Sequence, residues 1–324
     1  MTSGRSALAA AKAIVGGDRR ALARAISAVE NGDPESGALV RALYPRTGRA
    51  RVIGITGPLG VGKSSVINAL VRHLRAVGSS VAIVAVDPSS PFSGGSVLGD
   101  RIRFERDATD AAVFFRSMAS RGEEGGVAAT TREVVRLLDA AGFDVVVVET
   151  VGSGQVDLAI REIASTSVVV LVPHLGDEVQ TLKAGLFEIA DVFCVNKSDL
   201  PGADLARKDL SELVGLGGQR DGWAPAIVLT SALSGTGIVE LWGAVEAHER
   251  FLDRSGQRAA AQRRRIAHEI VGLVRERVGR EVEDRLERDP ELRRLLDEVA
   301  ARRLDPRAAA DRLFEAAGRR RRRP

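Results

Sequence analysis

Residues 51–65 read RVIGITGPLGVGKSS. A short apolar run ends at Thr56, three glycines follow at 57, 60 and 62, and Lys63-Ser64-Ser65 opens a stretch with helical periodicity. The spacing fits G-x-x-x-x-G-K-[ST], a phosphate loop set between a strand and a helix. Gly57, Gly60 and Gly62 let the backbone curl closely enough for successive N–H groups, those of Val61 and Ser65 among them, to point at phosphate oxygens. They do so at the positive end of the helix. In that geometry Lys63 reaches the β- and γ-phosphates and the Ser64 hydroxyl holds Mg²⁺. The motif requires a strand before it and a helix after it, and residues 52–56 and 64–77 supply both.

Outward from this loop, residues 51–250 alternate apolar, β-branched runs with helical patterns. Strands are predicted at 51–56, 80–86, 143–149, 167–173, 192–196 and 226–230. Several, such as VVVVE and SVVVLV, are apolar without alternation, as expected of strands buried on both faces. The fold class is therefore α/β: a mostly parallel sheet flanked by helices, with helical extensions at both ends. Before it, helices are expected at 6–15, after an Asp18 cap, and in a third short segment capped by Asp33 with Pro34 in the first position. After it come charged amphipathic helices at 257–288, 290–304 and 306–317, broken at Asp289-Pro290 and Asp305-Pro306. The divisions expected are an N-terminal extension at 1–46, a nucleotide domain at 47–253, a helical segment at 254–318 and a basic tail at 319–324.

Two further segments fall at strand ends on the same sheet edge. Asn196-Lys197-Ser198-Asp199 follows one strand and Ser231-Ala232 follows the next, the N-K-x-D arrangement that reads guanine. The Asp199 carboxylate can accept from the ring N1–H and the exocyclic amine of guanine, which adenine does not offer in that arrangement. Hydrogen bonds to a charged acceptor are worth about 1.5–3 kcal/mol each, so GTP is favoured over ATP. Asn196 braces base and loop, Lys197 lays its stem along the base, and the Ala232 backbone meets guanine O6. Three acids are candidates for metal and switch: Asp87 after an apolar strand, Asp100 in GGSVLGD and Glu149 ending VVVVE. An acid closing four valines would be costly to bury without a cation or donors. Lys63, Asp87 and Glu149 form the candidate catalytic set, and Ser64, Asp87, Asp100 and Glu149 the candidate metal set.

The stretches GPLGVGKSS, AVDPSSPFSGGSVLGDRIR, GGVAATTRE, VVVVETVGSGQVD, GDEVQTLKAGLFEIADVFCVNKSD and DPRAAADRL occur in this order. On them the sequence resembles the methylmalonyl-CoA mutase-associated GTPases, the MeaB group. The resemblance implies a GTP-hydrolysing chaperone that gates cofactor loading of, or protects, an adenosylcobalamin-dependent acyl-CoA mutase. It implies GTP or GDP and Mg²⁺ as ligands, the nucleotide and metal residues named above, and a homodimer made by the terminal helices. The chain departs from the family pattern at Ser153, at Val156-Asp157, after Arg116 and in the PHLGDE segment with His174. Alternatives are a metallochaperone for another metalloenzyme or a transport-linked nucleotide-dependent kinase. Against the first, one cysteine and the scattered His73, His174, His248 and His268 give no ligand cluster. Against the second stands the guanine signature.

Composition sets the remaining bounds. Over 324 residues the net charge is only +4, with 44% hydrophobic and 28% charged residues. Lysine occurs only at 12, 63, 183, 197 and 208, so its presence in both nucleotide segments stands out. The single cysteine, Cys194, allows no intrachain disulfide, and no run approaches a membrane span, so a cytoplasmic setting is expected. The run of five arginines at 319–323 lacks any aromatic stacking motif, so a solvated tail is favoured over nucleic-acid binding. No cis arginine finger is evident, and Arg101, Arg103, Arg116 and Arg121 are candidates for one brought inward by a partner.

Overall fold

The computed structural model describes residues 2–88, 110–120, 124–150, 156–173, 186–217 and 221–320, and the statements below concern these. The chain forms two compact units, residues 1–262 and 263–324. In the first, α1 (Thr2–Val15), α2 (Arg19–Glu30) and α3 (Ser36–Leu43) precede β1 (Arg51–Thr56) and α4 (Lys63–Ala76). Then come β2 (Val81–Pro88), β3 (Val113–Ser120), α5 (Glu124–Ala140), β4 (Val145–Thr150), α6 (Val156–Ile163) and β5 (Thr166–Leu171). The unit continues through α7 (Leu186–Ile189), β6 (Val192–Val195), α8 (Ala203–Gly217), β7 (Ala226–Leu229) and α9 (Ile238–Arg254). The seven strands form one sheet in the order β3-β2-β4-β1-β5-β6-β7, every neighbouring pair parallel. In the second unit lie α10 (Gln257–Arg288) from residue 263 on, α11 (Pro290–Ala300) and α12 (Pro306–Arg320).

The period of two along a strand divides the sheet's apolar residues between two helical layers. On one face Ile53, Ile55, Val81, Ile83, Val145, Val147, Val168 and Val170 meet Ile67, Leu70 and Leu74 of α4 and Leu241 and Val245 of α9. On the other, Ala82, Val84, Val146 and Val148 meet Val134, Leu137 and Leu138 of α5. That second cluster also takes in Ile14, Leu22, Ile26 and Leu43, so α1–α3 belong to the core of the sheet unit. Further along the same layer, Ile160 of α6 packs with Val169, Leu171 and Phe193. A Cβ on Gly54 would lie 2.5 Å from Ile160 Cγ1, so glycine there lets α6 sit directly on β1.

Two expectations are corrected. β3 was not anticipated: VFFRSMAS forms the edge strand, half-buried and interrupted by Arg116, so it lacks the continuous apolar signature of the inner strands. The third helix starts at Ser36 rather than at Pro34, because residues 33–35 form a turn. There the Asp33 carbonyl accepts from Ser36 N at 2.9 Å and Ser36 Oγ at 2.7 Å. The Asp18 cap holds, its carboxylate accepting from Arg20 N at 2.8 Å and Ala21 N at 2.9 Å.

At the amino edge of the sheet a buried ionic cluster joins β5 and β6 to α9. Glu249 accepts from Ser165 Oγ (2.6 Å), Thr166 Oγ1 (2.5 Å) and Arg258 Nη2 (2.8 Å). His248 Nδ1 lies 2.9 Å from Thr166 Oγ1, and its Nε2 lies 3.5 Å from Asp191 Oδ1. Burial by itself would raise the Glu249 carboxyl, but the bonds from Ser165, Thr166 and Arg258 outweigh it and hold its pKa below the ordinary 4.5. A depressed folded pKa means that the stabilisation is complete above the unfolded value and is lost as pH falls through the folded one. Glu249→Gln should cost about 3 kcal/mol at neutral pH. In urea unfolding, the gap from the unsubstituted protein should close only on acidification below 4.5; a gap independent of pH would show that the carboxylate charge contributes nothing.

Candidate active site

Three loops converge where β1, β4, β6 and β7 end. The first runs from Gly57 to Gly62 between β1 and α4, and its glycines have φ of +140° (Gly57), +78° (Gly60) and +90° (Gly62). A Cβ on Gly57 would lie 2.2 Å from the Val170 carbonyl oxygen, and one on Gly62 would lie 2.6 Å from Asn196 Nδ2. Glycine is required at both, by conformation and by proximity. Val61 is buried and Ser65 is exposed. Lys63 is buried at the first position of α4 and curls back over the loop, its ammonium donating to Gly57 O (2.7 Å) and Pro58 O (2.9 Å). A cation therefore sits in the mouth of a loop whose backbone opens onto a helix N-terminus, an arrangement suited to an anion.

Beside it, the Ser64 hydroxyl donates to Glu149 Oε1 at 2.8 Å. Glu149 lies on β4 with the parity of Val145 and Val147, which faces α4, and so the buried acid at the end of the valine run meets the helix start. Two hard oxygen donors at the lip of a phosphate loop fit Mg²⁺, which takes one or two carboxylates together with substrate phosphates. Asp87 is within β2, its backbone in register with Ala119; its side chain lies outside the described residues. Asp100, His174, Arg101, Arg103 and Arg121 also lie outside them. Arg116 is engaged away from the loop in the isolated chain: its Nε donates to Glu30 Oε1 at 3.1 Å and its Nη2 to Ser27 Oγ at 3.1 Å, tying β3 to α2.

The other two loops meet the first through Asn196. Its Nδ2 donates to Val61 O (2.9 Å), and its Oδ1 accepts from Ala232 N (3.1 Å) and from Thr230 Oγ1 (3.4 Å). The Ala232 N–H assigned to guanine O6 is thus held by Asn196 here, and would be shared or released when a base binds. Lys197 has a left-handed φ of +57°, and its ammonium donates to Gly60 O at 2.9 Å, stretching its stem across the space between the loops. Asp199 is exposed, and hydrogen bonds from the Ser231 side chain and its own backbone, then the nearby Lys197 charge, keep its pKa below the usual carboxylate value. It remains an ionised acceptor. Cys194, pushed up to about 12 by burial against a weaker opposing bond with Thr230, remains a thiol 3.1 Å from Thr230 Oγ1.

The family defined as "Methylmalonyl Co-A mutase-associated GTPase MeaB" matches residues 22–287. The chain belongs to the MeaB family. It is 40% identical over 319 residues to a Mycobacterium bovis protein named "Probable GTPase", covering 95% of this chain and 94% of that one. It is 33% identical to the mouse protein "Methylmalonic aciduria type A homolog, mitochondrial", covering 82% of this chain and 68% of that one. The solved LAO/AO transport system kinase superposes with a TM-score of 0.71 at 29% identity, over 97% of this chain and 98% of that one. The enzyme is accordingly a GTPase of the MeaB family with a P-loop fold.

Sequence reasoning missed Thr230, Thr56 and Thr150 in this MeaB-family site. Each is a buried threonine one residue from a motif residue or from an end of the loop, a weak signal that only the fold makes specific. For base selection, Asp199→Asn should reduce GTP use and favour xanthosine triphosphate, because the amide donates to the xanthine O2 where the carboxylate accepted from the guanine amine. A shift of about 10–100-fold in relative hydrolysis is expected. A variant that keeps its full GTP preference would show that Asp199 does not read the base.

Proposed function

We propose that this chain binds GTP and Mg²⁺ at these three loops and acts as a chaperone that gates cofactor loading of, or protects, an adenosylcobalamin-dependent acyl-CoA mutase. The observation that carries the nucleotide reading is the Ser64–Glu149 contact beside the Lys63 loop, with Asn196 joining that loop to the base-reading segment. The mutase partnership is supported by the family, whose description names methylmalonyl-CoA mutase, and by the mouse relative named for methylmalonic aciduria. The cytoplasmic setting expected from the sequence is part of the same proposal.

In this mechanism the loop N–H groups bind the β-phosphate, and Lys63 exchanges the Gly57 and Pro58 carbonyls for β- and γ-phosphate oxygens. Ser64 and Glu149, with Asp87 and Asp100 as further acids, would hold the metal, which when bound would supply positive charge to offset that of the phosphates. Asn196, Lys197, Asp199, Ser231 and Ala232 hold the base. Arg116 is engaged by Glu30, and a missing finger can cost about 10³–10⁵ in rate. The isolated protein should turn GTP over slowly, and a cobalamin-dependent acyl-CoA mutase should change that rate, with Lys63→Ala as the inactive control. Fast turnover insensitive to every acyl-CoA mutase of the same cell would contradict the chaperone role and leave a GTPase alone.

Homodimer formation is part of the same proposal. α10 is 32 residues long with none buried, and Ile270, Val271, Leu273, Val274 and Val278 are exposed along it. Such an apolar series calls for a covering surface. A chain ending at Gln262, which retains the Arg258–Glu249 pair, should be monomeric by light scattering while the full chain is dimeric; a dimeric truncated chain would rule α10 out as the interface.

A further inference from the structure

The hydroxyls of Thr150 and Thr56 meet inside the sheet, Thr150 Oγ1 donating to Thr56 Oγ1 at 2.7 Å. Both side chains are buried, at 2% and 0% exposure. Thr56 is the last residue of β1 and is followed at once by Gly57, the start of the phosphate loop; Thr150 is the last of β4 and directly follows Glu149. β1 and β4 are parallel neighbours with Ile55 in register with Glu149, so the two threonines form the next rung. Side chains alternate along a strand, and Glu149 faces α4 with Val145 and Val147. Thr150 has the parity of Val146 and Val148, and Thr56 that of Gly54, which lies against Ile160 of α6. The threonine bond is therefore on the opposite face of the sheet from the Ser64–Glu149 contact.

We infer that Thr150 and Thr56 are positioning residues of the GTPase: their bond pins the ends of β1 and β4 from behind, and so sets Glu149 against Ser64. Both hydroxyls lie on the sheet face opposite the Ser64–Glu149 contact, so their role is one of position. The bond acts where β1 and β4 stop pairing with each other, while Thr56 stays in register with Val169 of β5 and Thr150 with Val86 of β2. A buried hydroxyl bond at that rung ties the residue before the loop to the residue after the acid, so any slip of one strand end would open the 2.8 Å Ser64–Glu149 contact. Outer groups that orient metal-binding side chains typically contribute 10–100-fold to metal affinity or activity. The inference rests on the reading of Ser64 and Glu149 as the metal pair.

The test is GTP hydrolysis titrated with Mg²⁺, using the full chain. Thr150→Val keeps the shape of the side chain and removes its hydroxyl; it should raise half-saturating Mg²⁺ and lower kcat by about 10–100-fold, with little change in KM for GTP. Thr150→Ser, which keeps the hydroxyl, should stay close to the unsubstituted enzyme. Thr56→Val is the second arm, and Thr56→Val combined with Thr150→Val should be no worse than either alone. Unchanged Mg²⁺ dependence in both valine variants, additive losses, or a loss that serine does not restore would overturn the inference. So would a fall in melting temperature and in Mg²⁺-free GDP affinity with no Mg²⁺ shift, which a purely structural role would give. Ser64→Ala and Glu149→Gln separate the two levels. If these leave the Mg²⁺ dependence unchanged, the metal reading itself fails; if they alter it while the threonine variants do not, only the positioning role fails.

Discussion

One buried amide holds the nucleotide edge together. Asn196 donates to the phosphate loop at Val61 O and accepts from the loop after β7 at Ala232 N, while its own backbone N–H is fixed to Leu171 O at 2.8 Å. A side chain with one donor group and one acceptor group thereby joins three segments that are far apart in sequence. Asparagine is suited to this because it offers both functions without a charge to desolvate. Gly62 fits this arrangement, since its φ of +90° suits glycine and a Cβ there would crowd the amide nitrogen at 2.6 Å. The loop proposed to bind phosphate and the segments proposed to bind the base are consequently one structure.

The rest of the fold works to present that edge. The inner strands of the parallel sheet are buried on both faces, and the loops that follow β1, β6 and β7 converge at the carboxyl edge. The amino edge is closed by the opposite strategy. There His248, Glu249, Asp191 and Arg258 tie the starts of β5 and β6 to α9, the buried Glu249 carboxylate paired with the half-buried Arg258 and the His248 ring set between Thr166 and Asp191. α1–α3 extend the core on the α5 side, and Arg116 on the edge strand reaches Glu30 of α2. The helical preface is thus coupled to β3, the strand that pairs with β2 as far as Asp87 and Pro88.

What the sequence disclosed follows from the range over which each feature is encoded. The Gly57–Lys63 loop and the Asn196–Asp199 segment are contiguous, with spacings set by local backbone geometry, and they lie after β1 and β6, joined through Asn196. Glu149 was legible because an acid after four valines needs a partner, and Ser64 is that partner. The bond between Thr56 and Thr150 was not legible, since nothing local to either residue announces a contact across 94 positions. β3 was missed because an edge strand needs only half an apolar pattern, and the Asp33 cap failed because the Asp33 carbonyl, rather than its carboxylate, closes the turn before α3. The His248 cluster was invisible for a further reason: scattered polar residues become a network only when α9 is laid against the strand starts.

The measurement that bears most directly on this account is calorimetric binding of GDP to Asn196→Asp. Aspartate matches the size of asparagine but cannot donate to Val61 O, and it places a negative charge beside the phosphate loop. If a single amide unites the two halves of the site, GDP affinity should fall by about 100-fold, the loss expected when a buried hydrogen-bond partner is left unsatisfied. Pyrophosphate, which has no base, should weaken in parallel. Undiminished GDP affinity, or a loss confined to the base with pyrophosphate binding intact, would contradict the account.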